Sequence, residues 1–179
     1  FILFGQNKKN YCVLVTSSVK GEGKTLISVS MANLLKERFS KVLLIGADLR
    51  NPQIHRHTSY DKSVQGISDY IFKKDLSLDD IILKSGNLDY ILSGTIPPNP
   101  IELLNSDKYK NLVKKLKNDY DYIIIDSAPC LLVADTLGLT DLIDYTFYAI
   151  RSNHTDKKIM NFIEEMHVND KLPNINLIL

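Results

Sequence analysis

A short glycine-containing turn joins an apolar run to an amphipathic one near the start of the sequence, and this succession constrains the fold more than any other feature. Residues 11–16 form a short apolar run, which predicts a β-strand. Residues 23–39 predict a helix, because apolar residues recur on one face at Ile27, Met31, Leu34 and Leu35. The turn between them reads Thr16-Ser-Ser-Val-Lys-Gly-Glu-Gly-Lys24-Thr25. Strand, turn and helix in direct succession predict an α/β fold.

The composition of this turn is typical of a phosphate-binding loop. Glycines let backbone amides turn inward around an anion, and the amino terminus of the helix adds partial positive charge. Lys24 would supply a full charge to the β- and γ-phosphates of a nucleotide, and the Thr25 hydroxyl would ligate Mg²⁺. Ser18 stands where the strict motif has its first glycine. The residues predicted to bind ATP are Lys20, Gly21, Glu22, Gly23, Lys24, Thr25, Leu26 and, beyond the turn, Arg50.

Short apolar runs alternate with amphipathic stretches along the rest of the chain. Further strands are predicted over residues 41–46, 88–92, 122–126, 145–150 and 175–179. Helices are predicted over 66–72, 76–83, 106–116 and 134–142, and from a Thr155 cap to residue 166, with a loop over 51–65 and a turn over 95–100. This alternation requires crossover connections. The predicted fold is α/β, a P-loop NTPase with a mostly parallel central sheet flanked by helices on both faces, as a single domain over residues 1–179.

Two aspartates stand at the ends of apolar strands. Asp126 ends the run 122–126, and Asp48 follows the run 41–46. Ligands of parallel α/β sheets bind at the carboxyl ends of strands, so both carboxylates are expected to face the phosphates. Asp126 and Asp48 are predicted, with Thr25, to hold Mg²⁺, and Asp48 also to accept a proton from an attacking hydroxyl. Lys24, Asp48 and Asp126 are the predicted catalytic residues; the alternative for each aspartate is a turn-forming role.

Composition indicates the cellular compartment and argues against some classes of partner. Lys plus Arg is 22 and Asp plus Glu is 21, so a net charge of +1 gives no general attraction to nucleic acid or anionic membrane. Two cysteines are too few for a disulfide framework, which favours a reducing compartment. The apolar runs are strand-sized, whereas a membrane-spanning helix needs about 20 apolar residues. Because the sequence opens without Met, we expect a fragment of a longer chain.

Three segments of the sequence resemble the bacterial tyrosine kinases (BY-kinases) of capsule and exopolysaccharide biosynthesis. Thr16-Ser17 with Gly-Glu-Gly-Lys-Thr25 resembles their Walker A motif, Val42-Leu-Leu-Ile-Gly-Ala-Asp-Leu-Arg-Asn-Pro52 their Walker A′, and Ile123-Ile-Ile-Asp-Ser-Ala-Pro129 their Walker B. Two non-catalytic stretches are also similar: Gly66-Ile-Ser-Asp-Tyr70 and Ser93-Gly-Thr-Ile-Pro-Pro-Asn-Pro-Ile-Glu-Leu-Leu104. General P-loop physics does not require the second stretch, so it points most specifically to this family.

The resemblance implies transfer of the ATP γ-phosphoryl group to tyrosine hydroxyls, mainly those of sister subunits in a ring-like homo-oligomer. It also implies a membrane-spanning chain-length regulator (a polysaccharide co-polymerase), fused or separate, and no nucleic-acid partner. By matching position, Lys24 and Thr25 bind phosphate and Mg²⁺, Asp126 helps to hold the metal and Asp48 activates tyrosine. The expected location is cytoplasmic, at the inner face of the membrane through a missing segment or a partner.

The sequence departs from the family pattern at three places. Gly46 stands where the family has the first of two Walker A′ aspartates. The sequence does not include the Glu/Arg helix that precedes strand one in the family, and no tyrosine follows Tyr148. We therefore expect this fragment to lack its own main phosphate acceptors. Two alternatives therefore remain. One is a positioning or partitioning ATPase switch, whose extra lysine would fall at Val19, one place before Lys20; the other is a non-catalytic ATP-binding scaffold, which Gly46 motivates.

Overall fold

Six parallel strands form one sheet. The computed structural model describes residues 10–73, 75–130 and 140–179. The strands are β1 (Tyr11–Ser17), β2 (Val42–Gly46), β3 (Leu88–Ile91), β4 (Tyr122–Asp126), β5 (Tyr145–Ala149) and β6 (Ile175–Ile178). Their order across the sheet is β3-β2-β4-β1-β5-β6, and every neighbouring pair is parallel. All residues of β1, β2, β3 and β4 are buried, as expected for parallel strands covered on both faces.

Helices cover both faces of the sheet. They are α1 (Lys24–Leu35), α2 (Ile67–Phe72), α3 (Pro100–Asn105), α4 (Asp107–Asp119) and α5 (Ile159–Val168), with a 3₁₀ turn over Ile54–His57. One apolar core lies between α1 and the sheet, and a second lies between the other face and the remaining four helices. Within the described ranges no helix is long and apolar enough to cross a membrane.

The two longest helices show how the sequence pattern fits them to the sheet. In α1 the small residues Ser28 and Ala32 are fully buried, which lets the helix lie close to the strands, whereas Leu34, predicted to face inward, is 53% exposed. In α4 the apolar side chains recur at i, i+3, i+4 and i+7 and are buried: Tyr109, Leu112, Val113 and Leu116. The Ser106 hydroxyl caps α4 by accepting a hydrogen bond from the backbone amide of Tyr109.

The two non-catalytic stretches that carry the resemblance form one structural unit. The backbone amide of Ile67 donates to the carbonyl of Leu92 at 2.9 Å, which ties the start of α2 to the end of β3. Asp69 then accepts hydrogen bonds from the amides of Gly66 and Thr95 and from the Thr95 hydroxyl. Gly66 is required there, because a Cβ would lie 2.1 Å from the Leu92 carbonyl oxygen.

The predicted fold class is confirmed, and its strands agree with the structure to within about two residues. The predicted helix over 76–83 is wrong: Ser77 instead closes a turn on Asp80, and Leu83 pairs with Tyr90 in an isolated antiparallel bridge. Helix α3 was missed because its prolines suggested only a turn, although Pro at the first helical position favours a helix. The predicted helix over 134–142 falls largely outside the described residues.

Candidate active site

The carboxyl ends of three neighbouring strands meet beside the glycine turn. Asp126 at the end of β4 stands in register with Val15 of β1 on one side and with Gly46 of β2 on the other. The Ala47 amide donates to the Asp126 carbonyl at 2.8 Å, which holds the end of β2 against β4. Because β1 runs directly into the turn, this register brings the predicted phosphate loop and Asp126 together.

The backbone of the loop is shaped for an anion. Gly21 and Gly23 have φ of 86° and 91°, a left-handed conformation that strains any residue with a side chain. Gly23 is also the residue immediately before α1, so the amino end of the helix opens into the loop. Ser18, which replaces the first glycine of the strict motif, is fully buried, and its hydroxyl lies 2.8 Å from the Tyr148 hydroxyl of β5. That contact anchors the beginning of the loop to the sheet.

Hydroxyl groups of α1 contact the Asp126 carboxylate. The Thr25 hydroxyl donates to Oδ2 at 2.8 Å, and the Ser28 hydroxyl lies 3.1 Å from Oδ1. Lys24 is also nearly buried, at 8% exposure. Ser28 was not predicted as a site residue, although its spacing of one helical turn from Lys24 places it on the same side of α1. Thr25, Ser28 and Asp126 therefore form a compact polar group beneath the loop.

Burial dominates the electrostatics of Asp126. The side chain is only 2% exposed, and desolvation raises its pKa from 3.8 to about 6, opposed by the Thr25 hydrogen bond and the Lys24 charge. The negative charge of Asp48 raises the pKa further, which indicates that the two carboxylates interact. A desolvated carboxylate near a second one is stabilised by a cation, so this group suits a bound metal ion.

Asp48 lies just beyond β2 in a turn that fixes one of its oxygens. Oδ1 accepts hydrogen bonds from the backbone amides of Arg50 at 3.3 Å and Asn51 at 2.9 Å. This arrangement is an Asx-type turn, so the turn-forming role considered from the sequence is present. The hydrogen bonds described for the Asp48 carboxylate involve Oδ1, and the Asp48 carbonyl accepts from the Ser93 hydroxyl at 3.4 Å. Arg50 is exposed beside Asp48.

Gly46, where the family pattern has an aspartate, faces Ser93. The Ser93 hydroxyl donates to the Gly46 carbonyl at 2.8 Å, and a Cβ at Gly46 would lie 3.0 Å from that hydroxyl oxygen and 3.3 Å from an Ile54 methyl. Ser93 and Ile54 thus take up the space into which a side chain at position 46 would extend. A carboxylate there would require the neighbouring side chains to move.

The residues present fit a metal-bound nucleotide. Among the residues described, no group of three or more His, Cys, Asp or Glu side chains could hold a metal ion alone. Mg²⁺ does not need such a group, because it usually keeps several waters and binds one or two carboxylates together with substrate phosphates. Thr25 and Asp126 are suited to provide the protein ligands, and Lys24 with the loop amides is suited to hold phosphate.

The remaining predicted binding residues lie at the edge of the loop. Lys20 is exposed and Leu26 is 61% exposed, so neither side chain is held in the site. Glu22 is 3% exposed and its carboxylate accepts from the Val19 amide and from the Thr155 hydroxyl. Thr155, predicted as a helix cap, therefore contacts the loop instead, and α5 begins four residues later. No local pattern in the sequence predicts the contacts that this distant segment makes with the loop.

A second cavity is unrelated to this site. It has a volume of about 600 Å³ and lies at the amino ends of β2, β3 and β4, the opposite edge of the sheet. Its charged lining includes Lys84 and Asp89, which form an ion pair at 2.9 Å, and the Tyr120 hydroxyl donates to the same carboxylate at 2.7 Å. These groups satisfy one another, so size alone does not identify the functional site.

Comparison with known proteins places the chain in a family. A family model described as an AAA domain matches residues 12–177. The tyrosine-protein kinase YwqD of Bacillus subtilis is 37% identical over 148 residues, which cover 82% of this chain and 62% of YwqD. The chain thus spans less than two thirds of the length of this curated relative.

Solved structures give the same grouping. The crystal structure of the VpsO kinase domain superimposes with a TM-score of 0.87 at 31% identity, covering 95% of this chain and 84% of VpsO's. The septum site-determining protein MinD of Pyrococcus horikoshii, complexed with Mg-ADP, superimposes with a TM-score of 0.75 at 20% identity, covering 94% of this chain and 69% of MinD's. The second likeness concerns the fold alone.

The resemblance inferred from the sequence is confirmed by the relatives. The fold and the shape of the loop suit a bound nucleotide. With its family match spanning nearly the whole length, this chain belongs to the AAA domain family and, within it, to the kinase domains of the bacterial tyrosine kinases.

Proposed function

We propose that this chain is the catalytic domain of an ATP-dependent protein-tyrosine kinase that regulates capsular or exopolysaccharide synthesis and export. The proposal depends on one observation: the hydrogen-bonded Thr25–Asp126 pair lies beneath the glycine loop and interacts electrostatically with Asp48. The loop and the pair suit a metal-bound triphosphate. The additional carboxylate is a base next to the phosphates, which phosphoryl transfer to a hydroxyl can use.

Binding of ATP·Mg²⁺ would use the loop backbone and three side chains. Amides of the loop and Lys24 hold the β- and γ-phosphates, which places the γ-phosphorus toward the ends of β2 and β4. Thr25 and Asp126 would hold Mg²⁺, which would supply positive charge to neutralise the phosphate oxygens. Since Asp126 is desolvated without a metal, the ion also removes the energetic cost of its buried charge.

The transfer step would proceed as an in-line displacement on the γ-phosphorus. A tyrosine hydroxyl oxygen forms a bond to phosphorus while the bond to the β–γ bridging oxygen breaks, and ADP leaves with that electron pair. Asp48 accepts the hydroxyl proton through the carboxylate oxygen that is not held by the turn amides. General base catalysis of this kind contributes about two to four orders of magnitude in rate.

The phosphate acceptor would lie outside the described domain. All nine tyrosines of the sequence fall within the described residues, and none is exposed: six are buried, and Tyr60, Tyr70 and Tyr145 are half-buried. The Tyr60 hydroxyl is engaged with the Lys84 carbonyl, and the Tyr70 ring lies under the Lys108 ammonium. A tyrosine outside the described residues, for example on a sister subunit, is therefore the proposed acceptor.

The acceptor would approach along a groove of about 250 Å³ whose lining begins at Arg50, two residues after Asp48. Four basic side chains line this acceptor groove, Arg50, His55, Arg56 and Lys62, and no carboxylate residue is among its lining residues. Ile96, which is 63% exposed, provides an apolar surface on its wall. This combination suits an aromatic ring flanked by acidic residues.

Assembly would bring the acceptor and the acceptor groove together. We expect ring-like contacts between sister subunits to bring the acceptor tyrosine of one copy to the groove of the next. A membrane chain-length regulator, fused or separate, would hold the domain at the cytoplasmic face of the membrane.

The test compares ATP hydrolysis with phosphotyrosine formation. The chain is incubated with γ-labelled ATP, Mg²⁺ and a peptide that carries tyrosines between acidic residues, with the same peptide containing phenylalanine as control. Labelled tyrosine peptide supports the kinase. Hydrolysis without phosphotyrosine, even when the full-length parent supplies its own tail, supports the partitioning-type ATPase. Normal nucleotide binding with neither reaction supports the scaffold that Gly46 motivates.

A further inference from the structure

The segment that follows β5 contacts three consecutive residues of the phosphate loop. Arg151 Nη1 donates to the Gly21 carbonyl oxygen at 2.9 Å, and His154 Nε2 lies 2.9 Å from the Lys20 carbonyl oxygen. The Thr155 hydroxyl donates to Oε1 of Glu22. We call residues 151–155 the brace, because this segment meets the outer side of the loop.

The brace is itself held together by its own hydrogen bonds. The Thr155 hydroxyl accepts from the Arg151 amide at 2.8 Å, and the Thr155 amide donates to the Arg151 carbonyl at 2.9 Å. Since β5 pairs directly with β1, and β1 leads into the loop, the brace and the loop leave neighbouring strands of the same sheet. Both segments therefore start from a rigid base.

Glu22 shows why such a contact is needed. A carboxylate in a loop that binds anions repels phosphate if it points inward. Here one carboxylate oxygen accepts from the Val19 amide at 2.8 Å and the other from Thr155, and the side chain is 3% exposed. Both carboxylate oxygens are thus engaged by hydrogen bonds within the protein, and the Thr155 hydroxyl is one of the two groups that hold them.

The carbonyl contacts orient the amides that bind phosphate. In a planar trans peptide the C=O and the following N–H point in opposite directions. His154 holds the Lys20 carbonyl outward, and Arg151 holds the Gly21 carbonyl outward. The amides of Gly21 and Glu22 therefore point to the other side of the loop. That side is the one from which an anion is bound.

We propose that Arg151, His154 and Thr155 are positioning residues that preset the Gly21 and Glu22 amides for the phosphates of the bound nucleotide. The proposal rests on the proposed nucleotide-binding function of this loop. It predicts a specific effect on affinity: without the brace, nucleotide binding must itself order the loop, so the KM for ATP rises while kcat at saturation stays near its original value.

The central variant is Thr155→Val, because it removes the hydroxyl without changing charge or size. We expect its dissociation constants for ADP and for inorganic tripolyphosphate, measured by calorimetry, to rise about tenfold, as for the loss of one or two hydrogen bonds. Thr155→Ser, which keeps the hydroxyl, should stay within about twofold of the original protein. Tripolyphosphate lacks a base and a sugar, so a parallel loss for both probes locates the effect at the phosphates.

Arg151→Gln provides an independent test if Thr155→Val does not fold. Its matched control is Lys157→Gln, which removes the same charge from an exposed position two residues after Thr155. Weaker binding by Arg151→Gln but not by Lys157→Gln, with shifted Gly21 and Glu22 amide resonances in the nucleotide-free protein, supports the brace.

Two outcomes overturn different claims. If the unmodified protein binds nucleotide and Thr155→Val and Arg151→Gln bind it equally well, the positioning role is wrong and the proposed function stands. If these variants unfold at a lower temperature but bind nucleotide with unchanged affinity, the brace stabilises the fold and the positioning role is likewise wrong. If the unmodified protein binds neither probe, the proposed function itself fails.

Discussion

The Thr25 hydroxyl donates a 2.8 Å hydrogen bond to the Asp126 carboxylate, although 101 residues separate them in the sequence. The bond joins the first turn of α1 to the end of β4, directly beneath the phosphate loop. It leaves the carboxylate partly satisfied but still desolvated, as its raised pKa indicates. The fold thus holds the two residues together. A cation between them and the phosphates would lower the energy of the buried carboxylate.

Asp126→Asn is expected to stabilise the metal-free protein above pH 7 while impairing its function. The folded protein holds this proton to about pH 6 and the unfolded chain only to 3.8. As the pH rises through this window, the free energy of unfolding of the original protein therefore falls by on the order of 2–3 kcal/mol. The variant, which has no carboxyl group there, does not lose this stability. Urea unfolding without nucleotide should show the variant more stable at pH 7.5 and nearly equal at pH 4. A variant that is less stable at pH 7.5 would contradict the desolvation argument.

Lys24→Met should abolish tight ATP binding. Lys24 is nearly buried beside the loop, and its ammonium group is the proposed contact to the phosphates. Loss of charge-assisted contacts to phosphate should weaken binding by about two orders of magnitude or more. Calorimetry with ATP measures this, and Lys41→Met, an exposed lysine at the opposite edge of the sheet, is the control. Unchanged affinity in the Lys24 variant would remove the lysine from its proposed role.

Asp48→Asn should leave nucleotide affinity nearly intact and slow phosphoryl transfer by about two to four orders of magnitude. Asparagine keeps the Oδ1 acceptor, so the turn amides of Arg50 and Asn51 stay bonded and only basicity is lost. Asp61→Asn is a matched control, because Asp61 Oδ1 accepts from the Ser63 amide in a similar exposed turn. Quenched time courses measure the rate of phosphoryl transfer. An undiminished rate in the Asp48 variant would show that another group is the general base.

Gly66→Ala should destabilise the fold by about 2–4 kcal/mol, the range for severe steric conflict. A Cβ there would lie 2.1 Å from the Leu92 carbonyl oxygen and 2.4 Å from the Gly94 amide nitrogen, and backbone atoms cannot move aside independently. The control is Gly86→Ala, where no atom lies within 4 Å of the new Cβ and only the positive φ costs about 1–2 kcal/mol. Chemical unfolding measures the free energy of unfolding of both variants. Gly66→Ala should lose more of it than Gly86→Ala, and equal losses would contradict the steric argument.

Arg56→Glu should raise the KM for an acidic tyrosine peptide about five- to tenfold, as expected from reversing a charge at the acceptor groove. The KM for ATP should stay within about twofold, because Arg56 lines the groove rather than the phosphate loop. Arg38→Glu reverses an exposed charge just beyond α1 and serves as control. Equal KM values for the peptide in both variants would place acceptor binding on another surface.

Local sequence patterns predicted most of the framework. The apolar strands and the long helices follow from burial periodicity, and the glycine turn before Lys24 identified the phosphate loop. The segment 76–83 was misassigned because its apolar spacing suits a helix, whereas the bridge between Leu83 and Tyr90 draws it alongside β3. Arg151 and His154 were missed because each contacts a partner far away in the sequence, whereas Ser28 was missed although its spacing from Lys24 places it on the same side of α1.

By itself the sequence determined the α/β class and the family and predicted the phosphate loop, since these depend on residue types at short, regular spacings. Only the tertiary structure decided that Asp126 is desolvated beneath Thr25, that Ser93 takes the space beside Gly46, and that residues 151–155 contact the loop. Those relationships arise when parallel strands bring residues from 47 to 134 positions apart to one edge of a sheet. Their energies depend on burial and distance, which local sequence does not specify.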